Sequence, residues 1–378
     1  MKIAVAPDKF KGSLTSAEAA DCIATALREV LPSVTVSEFP LADGGEGTCE
    51  ALTRARGGKL HTVTVRGPLG EPVKASFGLS GNTAFMEMAS AAGLQLLSKD
   101  KRNPMKTSTY GFGQMLLEAI RLGAKEITAG IGGSATNDGG TGMAEALGAR
   151  FYGKDGKELH GLCGEMLEQI ARVDCTPLAA VLSDVHICIA CDVTNPLLGP
   201  NGASAVYAPQ KGASPNDVLA LEAGLAQLYR AADAGNKTPV GLPGDGAAGG
   251  LGFGCRVFCK ASFQSGGRLV IRESGLEEVI KASAVDLIIT GEGCTDSQTE
   301  AGKLCAVLAE MSRRNHIPCV LLSGGIAAPR QELMKLFDGV FVSGIGRGNL
   351  EDTLKHARED LRAAAASLAV AMKIGMKK

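Results

Sequence analysis

The stretch Gly130-Ile-Gly-Gly-Ser-Ala-Thr-Asn-Asp-Gly-Gly140 constrains this chain more than any other feature of its sequence. An apolar, strand-like run at 126–129 precedes it, and a helix-like run at 142–148 follows it. Glycines in a strand-to-helix turn let the backbone approach a ligand closely, and the N–H groups at a helix start attract anions. Such a turn with a good helix cap would also explain part of the pattern. The density of glycine and polar groups favours a phosphate-binding turn.

Length and composition limit the classes of protein. A chain of 378 residues with 45% hydrophobic residues predicts two domains with sizeable cores. The formal net charge of −1 gives no basic bias toward nucleic acid or an anionic membrane. The absence of tryptophan and the 4% aromatic content remove the usual stacking platform for single-stranded nucleic acid. We therefore expect small-molecule ligands, with no nucleic-acid or membrane partner, and the oligomeric state is left open.

The cysteines and the N-terminus predict a reduced, cytoplasmic protein. The chain begins as a strand without a signal-peptide core, and no apolar run approaches the ~20 residues that span a bilayer. The number of cysteines, eleven, is odd. Several lie in apolar runs, and we expect them to be small, buried hydrophobic residues. Cys188 and Cys191 have zinc-like spacing, but no second pair follows at a matching interval.

The order of predicted elements indicates two different α/β domains. Strand–helix alternation occurs at both ends of the chain, with a capping box at Thr15–Glu18 and nearly continuous apolar strands at 286–290, 319–323 and 339–343. Alternating segments between 60 and 88 predict antiparallel strands. We expect a Rossmann- or flavodoxin-like parallel sheet formed by both termini, residues 1–60 plus 283–378, and a second α/β domain with a mixed sheet, residues 61–282.

Four further clusters are rich in polar residues; three of them contain glycine, and three of them follow predicted strands. A doubly wound sheet places its ligands at such strand ends. Solvated lysines, helix caps and an Asx turn are the alternatives that would explain the clusters at 8–13, 43–47 and 192–196, respectively, without a ligand. The clusters are Asp8-Lys-Phe-Lys-Gly-Ser13, Asp43-Gly-Gly-Glu-Gly47, Asp192-Val-Thr-Asn-Pro196 and Thr290-Gly-Glu-Gly-Cys-Thr-Asp-Ser-Gln298.

Two other function classes stay open at this point. The Walker A pattern and the kinase-type His-Arg-Asp loop are absent, and the single Gly-x-Gly-x-x-Gly candidate at 344–349 fails at its last position. A nucleotide-dependent oxidoreductase therefore has little support. A non-catalytic sensor of a phosphorylated or carboxylated metabolite would use the same glycine turns, but the acidic residues beside an anion site would then be unexplained.

The clusters together resemble those of bacterial type I glycerate kinases, and the resemblance extends over essentially the whole chain. Further matching stretches are Tyr110-Gly111, Pro209-Gln-Lys-Gly-Ala213 and Gly246-Ala-Ala-Gly-Gly250. The resemblance implies ATP- and Mg²⁺-dependent phosphorylation of D-glycerate, usually on its 2-hydroxyl, in an active site between two α/β domains. The chain departs from the usual family pattern at Phe112, Gln114, Cys294 and Ala301.

Roles follow for the residues of these clusters. Phosphoryl transfer needs positioning and charge neutralisation more than covalent help. The candidates for the general base are Asp8, Asp43, Asp192 and Asp296. Asp192 is favoured and Asp8 comes next, because the other two lie in turns better suited to a metal or to helix capping. Lys11 is the third predicted catalytic residue, beside the transferring group. We expect substrate contacts from Lys9, Asn195, Asp43 and Glu46. We expect nucleotide contacts from Gly132, Gly133, Ser134, Thr136, Asn137 and Gly139. We expect metal contacts from Asp138, Glu292 and Asp296.

Overall fold

The computed structural model describes residues 1–41, 47–232, 241–295, 304–344, 346 and 349–376. Its backbone divides into two compact units, here called the terminal unit (Met1–Asp43 with Gly266–Lys378) and the middle unit (Gly44–Ser265). The α/β class, the parallel sheet from both termini and the mixed sheet from the middle of the chain are confirmed. Among the described residues, no helix is long and apolar enough to cross a membrane.

The terminal unit contains a five-stranded, entirely parallel sheet. Its strands are β1 (Lys2–Val5), β2 (Thr35–Glu38), β12 (Leu287–Glu292), β13 (Cys319–Ser323) and β14 (Gly339–Val342). The spatial order is β2-β1-β12-β13-β14. Numbered along this unit, that order is 2-1-3-4-5, the flavodoxin-like arrangement, and its topological switch point lies between β1 and β12.

Helices cover the sheet of the terminal unit, and the apolar strands are buried accordingly. Every residue of β12 and β13 is buried, whereas the edge strands β2 and β14 are partly exposed. The described helices of this unit are α1 (Ser16–Val30), α10 (Gly266–Glu273), α11 (Leu276–Lys281), α12 (Leu304–Arg314), α13 (Arg330–Leu336), α14 (Leu350–Lys355) and α15 (Ala357–Gly375).

Helix α1 shows how the sequence specifies these elements. Thr15 accepts a hydrogen bond from the Glu18 N–H while the Glu18 side chain bonds the Thr15 N–H, so the predicted capping box is confirmed. Apolar residues at helical spacing, including Ile23 and Leu27, are fully buried against the sheet and α15. The helix ends at its C-cap Leu31, because Pro32 disfavours helical backbone at the residue before it.

The middle unit contains a six-stranded mixed sheet. Its strands are β3 (Lys59–Arg66), β4 (Pro72–Ser80), β5 (Thr83–Glu87), β6 (Glu126–Gly130), β10 (His186–Ala190) and β11 (Ser262–Gln264). Their spatial order is β11-β10-β6-β5-β4-β3. Strands β5, β6, β10 and β11 run parallel, and β3, β4 and β5 form the predicted antiparallel run. A small antiparallel sheet, which the sequence did not predict, contains β7 (Arg150–Gly153), β8 (Glu158–Leu159) and β9 (Ile170–Asp174).

Helices of the middle unit pack on the mixed sheet around one apolar core that includes Phe77, Phe112 and Phe253. The described helices are α2 (Thr48–Ala55), α3 (Ala89–Ala92), α4 (Tyr110–Arg121), α5 (Thr141–Ala146), α6 (Thr176–Val181), α7 (Ala203–Tyr207), α8 (Pro215–Ala232) and α9 (Ala247–Cys259). Short 3₁₀ turns lie at Leu94–Leu96, Lys99–Lys101, Gly164–Gln169 and Pro209–Lys211.

The two units divide at 43/44 and 265/266, earlier along the chain than the predicted boundaries at 60/61 and 282/283. The packing of helices α2 and α10 accounts for the difference. Helix α2 lies against β3, β4 and β5 of the mixed sheet, and α10 packs against α11 and α12 of the terminal unit. Each helix therefore belongs with the sheet or helices whose apolar surface it covers.

Candidate active site

The glycine-rich turn follows β6 and leads into α5, as the sequence predicts. Gly132 and Gly133 are exposed, whereas the predicted nucleotide-binding residues Ser134, Thr136, Asn137 and Gly139 are buried. A backbone hydrogen bond fixes the exposed glycines, because the Leu94 N–H donates to the Gly133 carbonyl at 2.8 Å. The exposed glycines are thus the part of the turn that a ligand can reach, and the buried residues fix its shape.

Asp138 holds the turn from inside. Its carboxylate is 0% exposed and accepts four hydrogen bonds, from the Thr109 N–H and hydroxyl and from the N–H groups of Gly140 and Gly142, at 2.7–3.3 Å. Burial raises the pKa of the Asp138 carboxyl, and the four donors oppose that shift. These bonds occupy the N–H groups of Gly140 and Gly142 at the start of α5, so a phosphate could bind those groups only by displacing the carboxylate.

Lys211 is a buried cation against the same turn, and the sequence prediction gave it no role. Its side chain is 2% exposed, and its ammonium donates to the Ser134 hydroxyl at 2.8 Å and to the Thr136 carbonyl at 2.7 Å. Burial lowers the pKa of Lys211 to about 7, and the negative charge of Asp138 opposes that shift. Its only sequence signal was its place in the matching stretch 209–213.

A second glycine segment packs backbone to backbone against the turn. Gly249 has φ +68°, and a Cβ atom there would lie 2.0 Å from the Thr136 carbonyl oxygen. The Gly139 N–H donates to the Gly249 carbonyl at 3.1 Å. This close approach explains why the matching stretch 246–250 is rich in glycine, because any side chain at position 249 would push the two backbones apart.

The loop after β10 carries Asp192 and Asn195 at the same edge of the mixed sheet. Strands β6 and β10 are parallel neighbours with Gly130 opposite Ala190, so the loops that follow them begin side by side. Asp192 is exposed. The Asn195 side chain is held at both ends: its amide nitrogen donates to the Asn201 carbonyl at 2.9 Å, and its oxygen accepts from the Tyr207 hydroxyl at 2.6 Å.

The terminal unit brings Asp8 and Glu292 to its topological switch point. The Asp8 N–H donates to the Gly291 carbonyl at 2.7 Å, and both side chains are 8% exposed. The Thr295 hydroxyl donates to Glu292 at 3.0 Å. Glycine at 293 lets the loop after β12 pass close to the loop after β1, since a Cβ there would lie 2.9 Å from the backbone nitrogen of Lys11.

The other predicted site residues divide between the surface and the part of the chain outside the described residues. Lys11 is exposed and Lys9 is half-buried, both in the loop after β1. The predicted substrate contacts Asp43 and Glu46 and the predicted metal contact Asp296 lie outside the described residues. Within the described ranges, no group of three or more His, Cys, Asp or Glu side chains is arranged to hold a metal ion.

Two of the departures from the family pattern have structural roles in α4. Phe112 is fully buried in the core of the middle unit. The Gln114 side-chain oxygen accepts a hydrogen bond from the Arg66 N–H at 2.8 Å, which joins α4 to the end of β3. Cys294 is exposed in the loop after β12, and Ala301 lies outside the described residues.

The depressed pKa of Lys211 predicts a dependence of stability on pH. Below pH 7 the folded and unfolded chains both carry this proton. Between about pH 7 and 10.5 the unfolded chain binds more protons, so the contribution of Lys211 to the free energy of unfolding rises with pH, by at most about 1.4 kcal/mol per pH unit. Urea unfolding of the wild type and of Lys211→Met at pH 6 to 9 measures this rise. Equal slopes above pH 7 in both proteins would contradict it.

The two units thus carry the parts that small-molecule phosphotransferases need. In each unit, carboxylates and a glycine-rich loop follow parallel strands at their carboxyl ends, and in the terminal unit Lys9 and Lys11 follow β1. This is the setting in which α/β enzymes bind phosphorylated ligands. The fold and the site together fit an α/β kinase of the non-Walker type.

Comparisons with known proteins give the particular family. The model of the glycerate kinase family matches residues 3–373. The chain is 40% identical to a glycerate kinase of Bacillus subtilis, over 99% of this chain and 98% of that protein. It is also 40% identical to a glycerate 2-kinase of Escherichia coli, over 100% of this chain and 99% of that protein. This chain belongs to the glycerate kinase family, a family of kinases.

A solved structure agrees with the fold. The crystal structure of a protein assigned as glycerate kinase 2 from Salmonella typhimurium LT2 superposes with a TM-score of 0.90 at 41% identity, covering 100% of both chains. The resemblance predicted from the sequence motifs is therefore confirmed, and so is the assignment of the chain as an enzyme that transfers phosphoryl groups.

Proposed function

We propose that this chain transfers the terminal phosphoryl group of ATP to D-glycerate and forms 2-phosphoglycerate. The observation that carries the proposal is the family match over residues 3–373, together with the named activity of the Escherichia coli relative, a glycerate 2-kinase. The reaction is a direct transfer. The glycerate hydroxyl oxygen forms a bond to the terminal phosphorus, the bond from that phosphorus to the ADP oxygen breaks, and the hydroxyl proton passes to a base.

We assign nucleotide binding to the glycine turn. The exposed amides of Gly132 and Gly133 would contact the phosphates, and the buried Ser134, Thr136, Asn137 and Gly139 would keep them in place. The charge of Lys211 lies directly behind the turn, bonded to Ser134 and Thr136. A positive charge in low-dielectric surroundings stabilises bound phosphate more strongly than a surface lysine does.

We assign acceptor binding and proton removal to the loops after β10 and β1. Asp192 is the proposed general base, because it is exposed at a strand end and the neighbouring Asn195 is held rigidly enough to orient the substrate. Asp8 is the next candidate. Lys9 and Lys11 would bind the glycerate carboxylate or neutralise the transferring group, and Asp43 and Glu46 complete the proposed substrate contacts.

Mg²⁺ fits Glu292 better than it fits Asp138. Carboxylate oxygens are the donors that Mg²⁺ prefers, and Glu292 ends β12 at the switch point of the terminal unit. The Asp138 carboxylate is instead 0% exposed and already accepts four hydrogen bonds, three of them on Oδ2. We therefore assign the metal to Glu292 and Asp296, where it would neutralise phosphate charge, and give Asp138 the role of holding the turn.

The identity of the product tests the proposed regiochemistry. A 2-phosphoglycerate product is dehydrated directly by enolase, whereas 3-phosphoglycerate must first pass through a phosphoglycerate mutase. We expect an assay coupled through enolase and pyruvate kinase to proceed at full rate without mutase. A signal that appears only after mutase is added would show transfer to the 3-hydroxyl and would overturn this part of the proposal.

A further inference from the structure

One face of the segment 203–211 contacts both loops to which the proposed function gives a ligand. The segment consists of α7 and the 3₁₀ turn Pro209–Lys211 that follows it. Ser204, Tyr207 and Lys211 are spaced at i, i+3 and i+7, the spacing that places side chains on one side of a helix. All three side chains leave the segment toward the carboxyl edge of the mixed sheet, where their partners lie.

The partners of this face divide between the two loops. The Ser204 hydroxyl accepts from the Asn137 side-chain amide at 3.2 Å, and Lys211 donates to Ser134 and to the Thr136 carbonyl. These contacts all fall on the glycine turn. The Tyr207 hydroxyl instead donates to the Asn195 side-chain oxygen, in the loop after β10. A single short element therefore fixes the two loops relative to each other.

Burial makes the loss of the Ser204 and Lys211 contacts costly in free energy. Ser204 and Asn137 are 0% exposed and Lys211 is 2% exposed, so a partner removed from this face leaves a polar group without water to replace it. The segment is itself held in place, because α7 packs against α8 and α9 in the middle unit. Within the described residues, the buried oxygens Thr136 Oγ1 and Asn137 Oδ1 have no hydrogen-bond partner. Two side-chain oxygens of the glycine turn, next to this face, therefore accept no hydrogen bond within the described fold.

We propose that Ser204, Tyr207 and Lys211 are positioning residues that set the nucleotide turn and the acceptor loop in register for phosphoryl transfer. The proposal rests on the proposed function, because it takes the glycine turn as the ATP site and the loop at 192–195 as the glycerate site. None of the three needs to touch a reacting atom. Their effect is to keep the two substrates at the distance and angle that direct transfer requires.

The division of contacts predicts which kinetic constant each variant changes. Lys211→Met keeps the side-chain length without the charge, and we expect it to raise the KM for ATP about tenfold while the KM for D-glycerate stays within about twofold. Tyr207→Phe removes only the hydroxyl, and we expect the opposite pattern, a rise of about tenfold in the KM for D-glycerate. Ser204→Ala, a milder change on the same face, should raise the KM for ATP about threefold and keeps the test open if Lys211→Met does not fold.

Two matched variants in the β7–β8 hairpin of the same unit control for nonspecific effects. Lys157→Met removes an exposed lysine, and Tyr152→Phe removes a tyrosine hydroxyl from β7. Both should leave each KM within about twofold of the wild-type value. Equal changes in both KM values for Tyr207→Phe and Lys211→Met, or no change in either variant, would overturn the proposal.

Hydrogen exchange separates this inference from the proposed function, because it needs no substrate. In the ligand-free protein we expect Lys211→Met to speed amide exchange at 131–140, and Tyr207→Phe to speed exchange at 191–197, with the controls unchanged. If the wild type does not turn over D-glycerate but these exchange changes occur, the proposed function fails and the positioning role of the face survives. If turnover is normal and exchange in both loops is unaffected, the positioning role fails.

Discussion

Replacing Asp192 by asparagine should lower kcat by about 10²–10⁴ with little change in the KM for ATP. Asparagine keeps the size and hydrogen bonding of the side chain but cannot accept the proton that the glycerate hydroxyl must lose. Asp192 is exposed directly after β10, beside the rigidly held Asn195, so a substrate can reach it without a change in the surrounding backbone. Steady-state kinetics with both substrates varied measures the effect.

The same strand supplies the control for this prediction. Asp184 is also exposed, but it lies before β10, at the amino end of the strand and away from the glycine turn. Asp184→Asn changes charge by the same amount and should leave kcat within about twofold of the wild-type value. An Asp192→Asn enzyme that retains most of its kcat would remove the assignment, and a large loss in Asp8→Asn would then move the base to the end of β1.

The second large effect is expected on stability. Asp138→Ala leaves four donors, on Thr109, Gly140 and Gly142, buried without an acceptor, and each such loss costs about 1–3 kcal/mol. We therefore expect the free energy of unfolding to fall by about 4 kcal/mol or more, which places this substitution among the most damaging that single residues cause. Urea denaturation followed by circular dichroism measures the loss.

Asparagine at the same position tests the physical reason. Asp138→Asn keeps one accepting oxygen but turns an NH₂ group toward the remaining donors, so we expect a smaller but still large destabilisation. The exposed Asp184→Ala serves as the control and should change the unfolding free energy by less than about 0.5 kcal/mol. An Asp138→Ala protein as stable as the wild type would show that the turn does not depend on this carboxylate.

Much of the fold could be predicted because its signals are local. Continuous apolar runs identify β12 and β13, whose residues are all buried, and the Thr15–Glu18 pair identifies the start of α1. The boundaries between the two units are harder to predict from the sequence. Helix α2 is joined by one short connection to β3, and only its packing shows that it covers the mixed sheet. The small sheet was missed because β8 has two residues, too few for an alternating pattern.

The site was predicted where function depends on residue type, and missed where it depends on burial. The sequence places Ser134 and Asp138 in a glycine turn after a strand, and the structure agrees. A carboxylate in such a turn can bind a metal ion or the backbone, and only the four hydrogen bonds of Asp138 favour the second. Lys211 resembles any lysine between a glutamine and a glycine until the fold buries it.

The release of ADP measures whether this chain phosphorylates D-glycerate. Purified protein is mixed with ATP and Mg²⁺, and ADP formation is followed with D-glycerate, with L-glycerate and with a panel of other hydroxy acids. We predict ADP release that depends on D-glycerate and ceases when EDTA removes the metal. Turnover with another hydroxy acid but not with D-glycerate would contradict the proposed substrate, and no ADP release with any hydroxy acid would contradict the account as a whole.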